Sequence, residues 1–247
     1  MKQVCIQGLG FVGVAMAIAL SNVKTAKGKP MYFVTGIDLP TEQGLKRIDA
    51  VNQGKLPFNT ADQKMATAFF AAMKTGNLVA TTDESVYTLA DFVIVDVPLD
   101  VALVDGEIQL DLSGFGNAIR TVASNIKSGA LILVETTVPP GTCEKIVWPI
   151  ICEELEKRNV DKGLVYLAHS FERVMPGIGY YDSLVNYWRV YAGRTNCAAD
   201  ICEEFLSTLI NVDQYPLKRL ASMTASEATK VLENSYRAVN IAFIDEW

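Results

Sequence analysis

The chain has little with which to bind a metal, a polyanion or a bilayer. It carries one histidine, His169, in 247 residues, and its five cysteines (Cys5, Cys143, Cys152, Cys197, Cys202) form an odd set without zinc-ribbon spacing. No metal site is expected, and free thiols in a reducing cytosol fit best, so a cytoplasmic protein is the expectation. The 22 Lys and Arg are outnumbered by 28 Asp and Glu, for a net charge of −6. That balance excludes nucleic acid and anionic membrane as partners, because both select clustered positive charge; any phosphate contact must be local. No window reaches the ~18 uninterrupted apolar residues of a membrane span, and no repeat or low-complexity linker is present. What the chain does have is apolar residues, 50% of the total, enough to bury a core of one large domain or one and a half.

The N-terminal run "VCIQGLGFVGVAMAIAL" could be a secretory leader, a buried helix or a phosphate cradle. Lys2 before an apolar stretch mimics a leader. Three glycines within six positions are poor for a helical leader, whereas Gly8, Gly10 and Gly13 have the spacing of a strand-to-helix turn that meets a pyrophosphate. The context agrees. "QVCI" reads as a buried strand and "FVGVAMAIALSNV" as a helix packed on a sheet. Gly8 would permit the tight turn, Gly10 the close approach of the pyrophosphate and Gly13 close helix–strand packing, while the N–H groups of Phe11 and Val12 open the helix. The next strand, "MYFVTGID", ends in Asp38, 25 positions after Gly13, slightly beyond the usual ~20. A carboxylate there accepts bonds from the ribose hydroxyls and repels the 2′-phosphate of NADP, so the cofactor expected is NAD.

The alternation continues. "ADFVIVDVP" and "GALILVE" are near-continuous apolar runs, as in parallel strands covered on both faces. Helical spacing lies between them in "LSGFGNAIRTVASNI"; "KLPFNTADQKMATAFFAAMKTG" reads as a loop and a helix closed by Gly76, and "GLVYLA" as a further strand. The expected fold is α/β, a Rossmann-like doubly wound, mostly parallel sheet with its ligand crevice at the carboxyl ends of the strands.

The last helix, "TASEATKVLENSYRAVNIAFIDEW", places Glu227, Lys230, Asn234 and Arg237 within an arc of about 80°. Its apolar residues cover far more of the circumference than the ~100° of an ordinary surface helix, so burial on several sides is expected. The polar stripe alone fits a solvated face with ion pairs such as Glu233 with Arg237.

The segments "GLGFVG", "GIDLP", "ETTVPPGTCEK", "SFERVMPG" and "EATKVLENSYRAVNIAFIDE" occur in the order found in the UDP-glucose/GDP-mannose dehydrogenase family, and the chain resembles its members that oxidise UDP-N-acetylhexosamines, UDP-N-acetylmannosamine among them. The resemblance implies oxidation of the C6 alcohol of a nucleotide sugar to a carboxylate in two NAD-dependent steps, a role in polysaccharide biosynthesis and a homodimer through the central helix. It gives Thr137 the orientation of the catalytic water, Glu172 acid/base work, and Lys230 and Asn234 the stabilisation of oxyanions. Thr137, with Val97 and Pro98, also borders the cofactor. Arg173, Arg237 and Asn240 fall near the substrate or the dimer contact.

Two departures stand out. The family's Val-Pro-Thr-Pro is Val97-Pro98-Leu99-Asp100 here, and Phe171 replaces the usual proline. The family's nucleophilic cysteine lies downstream of the central helix, and none of the five cysteines matches it. The expectation is therefore a cofactor-binding portion: residues 1–215 as the NAD-binding domain, and 216–247 as the first part of a central helical domain, without the nucleotide-sugar-binding domain. A non-catalytic NAD-binding module and a short β-hydroxyacid-type dehydrogenase are the alternatives.

Overall fold

The computed structural model describes residues 1–175 and 177–247, with the backbone alone at Asp100, Leu103, Val104 and Ile108. Pro176 of the "SFERVMPG" loop and the side chain of Asp100 thus lie outside the described residues.

Strand β1 (Lys2–Gln7) feeds helix α1 (Phe11–Ser21), and the chain then alternates through β2 (Tyr32–Ile37), α2 (Glu42–Asn52), α3 (Gln63–Thr75), β3 (Leu78–Thr81) and β4 (Phe92–Val95). A hairpin of β5 (Asp100–Val104) and β6 (Glu107–Asp111) follows. After it come α4 (Ser113–Asn125), β7 (Leu131–Val134), α5 (Trp148–Lys157), β8 (Tyr166–His169), α6 (Tyr180–Val185), β9 (Val190–Gly193), α7 (Asn196–Leu209), β10 (Lys218–Arg219) and α8 (Met223–Asp245). Eight strands form one sheet in the order β10-β9-β8-β7-β4-β1-β2-β3. Every neighbouring pair in it is parallel except β8 with β9.

Both faces are covered, which is why β4 and β7 are buried at every position. One face packs α1, α3 and α7 through Ile18, Phe69 and Phe205; the other packs α4 and α5 through Ile119 and Ile151. Helix α1 is buried from Gly13 to Ser21. Helix α3 starts on Asp62, whose side chain accepts the N–H of Lys64, and stops at Gly76 in the left-handed region (φ 72°). The strand order reverses beside β1, between β2 on one side and β4 on the other, and the crevice opens there.

The last helix departs from its expected burial on several sides. Its first turns dock through Met223, Ser226, Glu227 and Lys230. Beyond them Leu232, Tyr236, Val239, Phe243 and Ile244 are each at least 60% exposed, because the helix runs past the edge of the sheet and meets no further element among the described residues. Among the described residues no helix is long and apolar enough to cross a membrane. The hairpin β5–β6, turning on Asp105 and Gly106 (φ 52° and 83°), is an element the sequence reading did not anticipate.

Candidate functional site

The carboxyl ends of β1, β4 and β7 border a cleft of ≈ 710 Å³. Its walls are the start of α1 (Gly10, Phe11, Val12), residues Asp96 to Leu99 after β4, Glu135 to Pro140 after β7, Glu172 after β8 and Val231 of α8.

The glycine turn has the geometry of a dinucleotide cradle. Gly8 has φ +100°, and a Cβ on it would lie 2.7 Å from the Asp96 carbonyl oxygen. A Cβ on Gly13 would lie 1.9 Å from the Gly8 carbonyl oxygen, so only glycine lets α1 pack this closely on β1. A Cβ on Gly10 would meet nothing within 4 Å, which leaves that side open to a ligand. Among the described residues no side chain caps α1. Its first N–H groups and positive dipole end therefore face the cleft without a protein anion, as a pyrophosphate requires.

Asp38 stands beside this turn. Its Oδ2 accepts the N–H of Leu9 (3.3 Å) and Nε of Arg47 (2.7 Å), and its Oδ1 accepts the N–H of Leu39 (2.8 Å). These bonds fix the carboxylate over the end of β2, where an adenosine ribose would lie. Arg47, on α2, is a residue the sequence reading missed, and its cation tempers the repulsion that Asp38 offers to a 2′-phosphate.

Glu172, on the cleft wall after β8, meets Lys230, which is buried behind it and is not itself a lining residue. Lys230 Nζ donates to the Glu172 backbone carbonyl (2.8 Å) and lies 3.7 Å from Oε1 of the same residue. The ammonium also sits 5.3 Å from the ring centre of Phe171, the residue that replaces proline, and only 9% of Lys230 is exposed. Thr137 is exposed and lines the cleft, whereas Thr136 is buried and its hydroxyl donates to the Val97 and Val95 carbonyls, tying the ends of β4 and β7 together. Val97 and Pro98 line the same wall.

The remaining sequence candidates are placed differently. Arg173 pairs with Glu233 (2.8 Å) and spreads over Phe171 and Tyr187. Arg237 reaches the same glutamate (3.6 Å), the ion pair expected from the helical spacing. Arg237 and Asn240 border a second groove, of ≈ 570 Å³, that follows one side of α8 and shares no lining residue with the cleft. Asn234 is exposed one turn beyond Lys230 and is not among the cleft's lining residues.

Three buried polar residues and one half-buried acid lay outside the sequence candidates. Glu227, expected on the polar stripe, is fully buried and accepts the backbone N–H groups of Gly141 (2.5 Å) and Cys143 (2.7 Å), docking α8 on the turn before α5. His169 Nδ1 meets Ser226 Oγ at 2.9 Å, and burial lowers the imidazole pKa from 6.5 to about 4, so the ring is neutral. Glu135 is buried in an ion pair with Arg189. Asp96 lines the cleft beside it. The signal for the two acids was present in "VIVD" and "LILVE", where a carboxylate directly follows a buried strand. Cys5, Cys143 and Cys202 are buried, with burial raising each thiol pKa, that of Cys5 to about 12; none of the five thiols lines the cleft.

The comparisons agree with this geometry. The UDP-glucose/GDP-mannose dehydrogenase family, NAD binding domain, matches residues 2–210. The UDP-N-acetyl-D-mannosamine dehydrogenase of Methanocaldococcus jannaschii is 32% identical over 247 residues, 100% of this chain and 51% of that protein. The crystal structure of NDP-N-acetyl-D-galactosaminuronic acid dehydrogenase from Methanosarcina mazei superposes with a TM-score of 0.85 at 25% identity, covering 100% of this chain and 49% of that one. The UDP-N-acetyl-mannosamine dehydrogenase from Staphylococcus aureus gives a TM-score of 0.78 at 25% identity, covering 99% and 53%. The chain spans about half the length of the curated relatives it matches. With a glycine cradle shaped for a dinucleotide, and a family match over residues 2–210 that takes in every strand of the sheet but β10, this chain belongs to the UDP-glucose/GDP-mannose dehydrogenase family and carries its NAD-binding domain.

Proposed function

We propose that the chain supplies the cofactor-binding portion of a cytoplasmic nucleotide-sugar 6-dehydrogenase that converts the C6 alcohol of a UDP-N-acetylhexosamine to a carboxylate for polysaccharide biosynthesis. The observation that carries the reading is Lys230 Nζ seated against Glu172, a residue of the cleft wall. Bound NAD supplies the hydride acceptor. The free N–H groups at the start of α1 would hold its pyrophosphate, and Asp38 its adenosine ribose.

On this reading the chain's own residues do the following. Glu172 accepts the hydroxyl proton, directly or through a water oriented by Thr137. Lys230, itself 9% exposed, holds a cation beside the oxygen on which negative charge develops, where its field is little screened. Asn234, one turn along α8, extends that polar edge. Arg173, Arg237 and Asn240 serve the substrate or a second copy of the chain, which would pack on the apolar face of α8 from Leu232 to Ile244. The second oxidation needs a thiol to trap the aldehyde. With none of this chain's thiols in the cleft, residues 1–247 alone would perform at most a slow first step.

The test is to incubate the chain with NAD and a panel of UDP- and GDP-sugars, following NADH and carboxylate together. Slow NADH formation without carboxylate is expected. Two NADH per sugar, persisting when Cys5, Cys143, Cys152, Cys197 and Cys202 are all replaced by Ala, would contradict the reading.

A further inference from the structure

The cleft holds an acid pair that the proposed chemistry leaves unused. Asp96 and Glu135 each directly follow a residue of the register pair Val95 and Val134 on the adjacent parallel strands β4 and β7. The register sets the two residues next to each other at the carboxyl ends of β4 and β7, near enough for the charge of Glu135 to act on Asp96. Both line the cleft. Arg189, 5% exposed, pairs with Oε1 of Glu135 and donates its Nε to the Phe171 carbonyl at 3.2 Å. Glu135 Oε2 and Asp96 Oδ2 are sealed from solvent and have no hydrogen-bond partner among the described residues.

Among the described residues Arg189 is the one cation paired with either acid, and its partner is Glu135. If both were ionised, one negative charge would stand uncompensated in a low-dielectric site, beside two oxygens without donors. A single proton removes the excess charge and gives one oxygen a donor. The groups facing the pair do not supply that proton's equivalent. Burial holds Tyr180 of α6 and Cys202 of α7 neutral, and Glu172, after β8, adds negative charge that Lys230 meets. Burial and the neighbouring acids raise the Asp96 pKa well above the ordinary carboxylate range, and that of Glu135 is raised to about 7 by burial, against the pull of Arg189.

The position of the pair gives the proton a function. With the pyrophosphate on α1 and the adenosine ribose at Asp38 over β2, the second half of a dinucleotide extends over β4 and β7, onto Asp96 and Glu135. The nicotinamide ring is cationic when oxidised and neutral when reduced. We propose that the Asp96–Glu135 pair is a proton store linked to the redox state of the cofactor: oxidised nicotinamide drives a proton off the pair, and its reduction lets the pair take a proton back. This rests on the reading of the cleft as the nicotinamide site. By reciprocity, NAD⁺ affinity rises with pH relative to NADH affinity.

Calorimetric titration of the chain with NAD⁺ and with NADH near pH 7, each in two buffers of different ionisation enthalpy, counts the protons released. The expected result is more protons released by NAD⁺ than by NADH, up to one. In addition, the ratio of the NADH to the NAD⁺ dissociation constant should rise by up to ~10-fold per pH unit through the pair's titration. Asp96→Asn should remove both effects while the far-UV spectrum is kept. Equal proton counts for the two nucleotides in the unmodified chain would overturn the inference without any variant, as would a difference that survives in Asp96→Asn. Failure of both nucleotides to bind would overturn the NAD reading of the cleft along with it.

Discussion

The carboxylate of Glu227 lies 2.7 Å from the backbone nitrogen of Cys143, which is 84 residues away in the chain, and its second oxygen takes the N–H of Gly141. These bonds hold the first turns of α8 against the sheet and so set the position of Lys230, one turn on. Glu227→Ala would leave two buried donors unpaired, at about 1–3 kcal/mol each. Urea denaturation should show a midpoint well below that of the parent chain with a similar slope. An unchanged midpoint would mean that α8 is not held this way.

His169 gives the same docking contact a pH dependence. Its folded pKa of about 4 lies below the ordinary 6.5, so folding favours the neutral ring. That contribution is complete above pH 6.5 and is lost as pH falls from 6.5 through 4, by up to about 3 kcal/mol. Thermal unfolding at pH 7 and pH 5 should therefore separate the parent from His169→Gln, which lacks the titration. Equal losses in the two proteins would remove His169 as the cause.

On the proposed reading Asp38 favours NAD over NADP, and Arg47 offsets part of that preference. A charge-assisted bond to the ribose is worth roughly 1.5–3 kcal/mol, so Asp38→Asn should weaken NAD binding by about tenfold or more. Arg47→Ala should sharpen discrimination against NADP, because it removes the cation that offsets Asp38. Fluorescence titration with both nucleotides reads each effect. Equal or tighter NADP binding by the unmodified chain would contradict the assignment.

The apolar face of α8 should join copies of the chain, since contiguous exposed apolar surface of this kind marks interfaces. Sedimentation equilibrium should show association that rises with concentration and is weakened by Leu232→Lys with Phe243→Lys. A strictly monomeric species at high concentration would argue against it.

Much of this was legible in the sequence because it depends on neighbours close along the chain. The spacing of Gly8, Gly10 and Gly13, a strand before them and Asp38 after the next strand specify the cradle locally. The β5–β6 hairpin carried its own signal, Asp105-Gly106 between two short runs of strand-forming residues, which the sequence reading passed over. The role of Glu227 had no such signal. On the helical wheel it sits with solvated charges, and only the distant turn at Gly141 and Cys143 makes it a buried cap. The exposure of α8 was misjudged for the converse reason: a broad apolar circumference says that a helix seeks cover, but not that the same chain supplies it. Arg47 was missed because its partner lies nine residues back, across a turn of unspecified geometry.

The most direct test of the central claim uses a UDP-N-acetylhexosamine carrying deuterium at C6, incubated with NAD and the chain at high concentration, with the reduced nicotinamide analysed by mass spectrometry. The account predicts that deuterium appears in the nicotinamide, at a rate cut by about 10²-fold or more in Lys230→Met and Glu172→Gln. No deuterium transfer from C6, or a transfer rate that both substitutions leave unchanged, would contradict it.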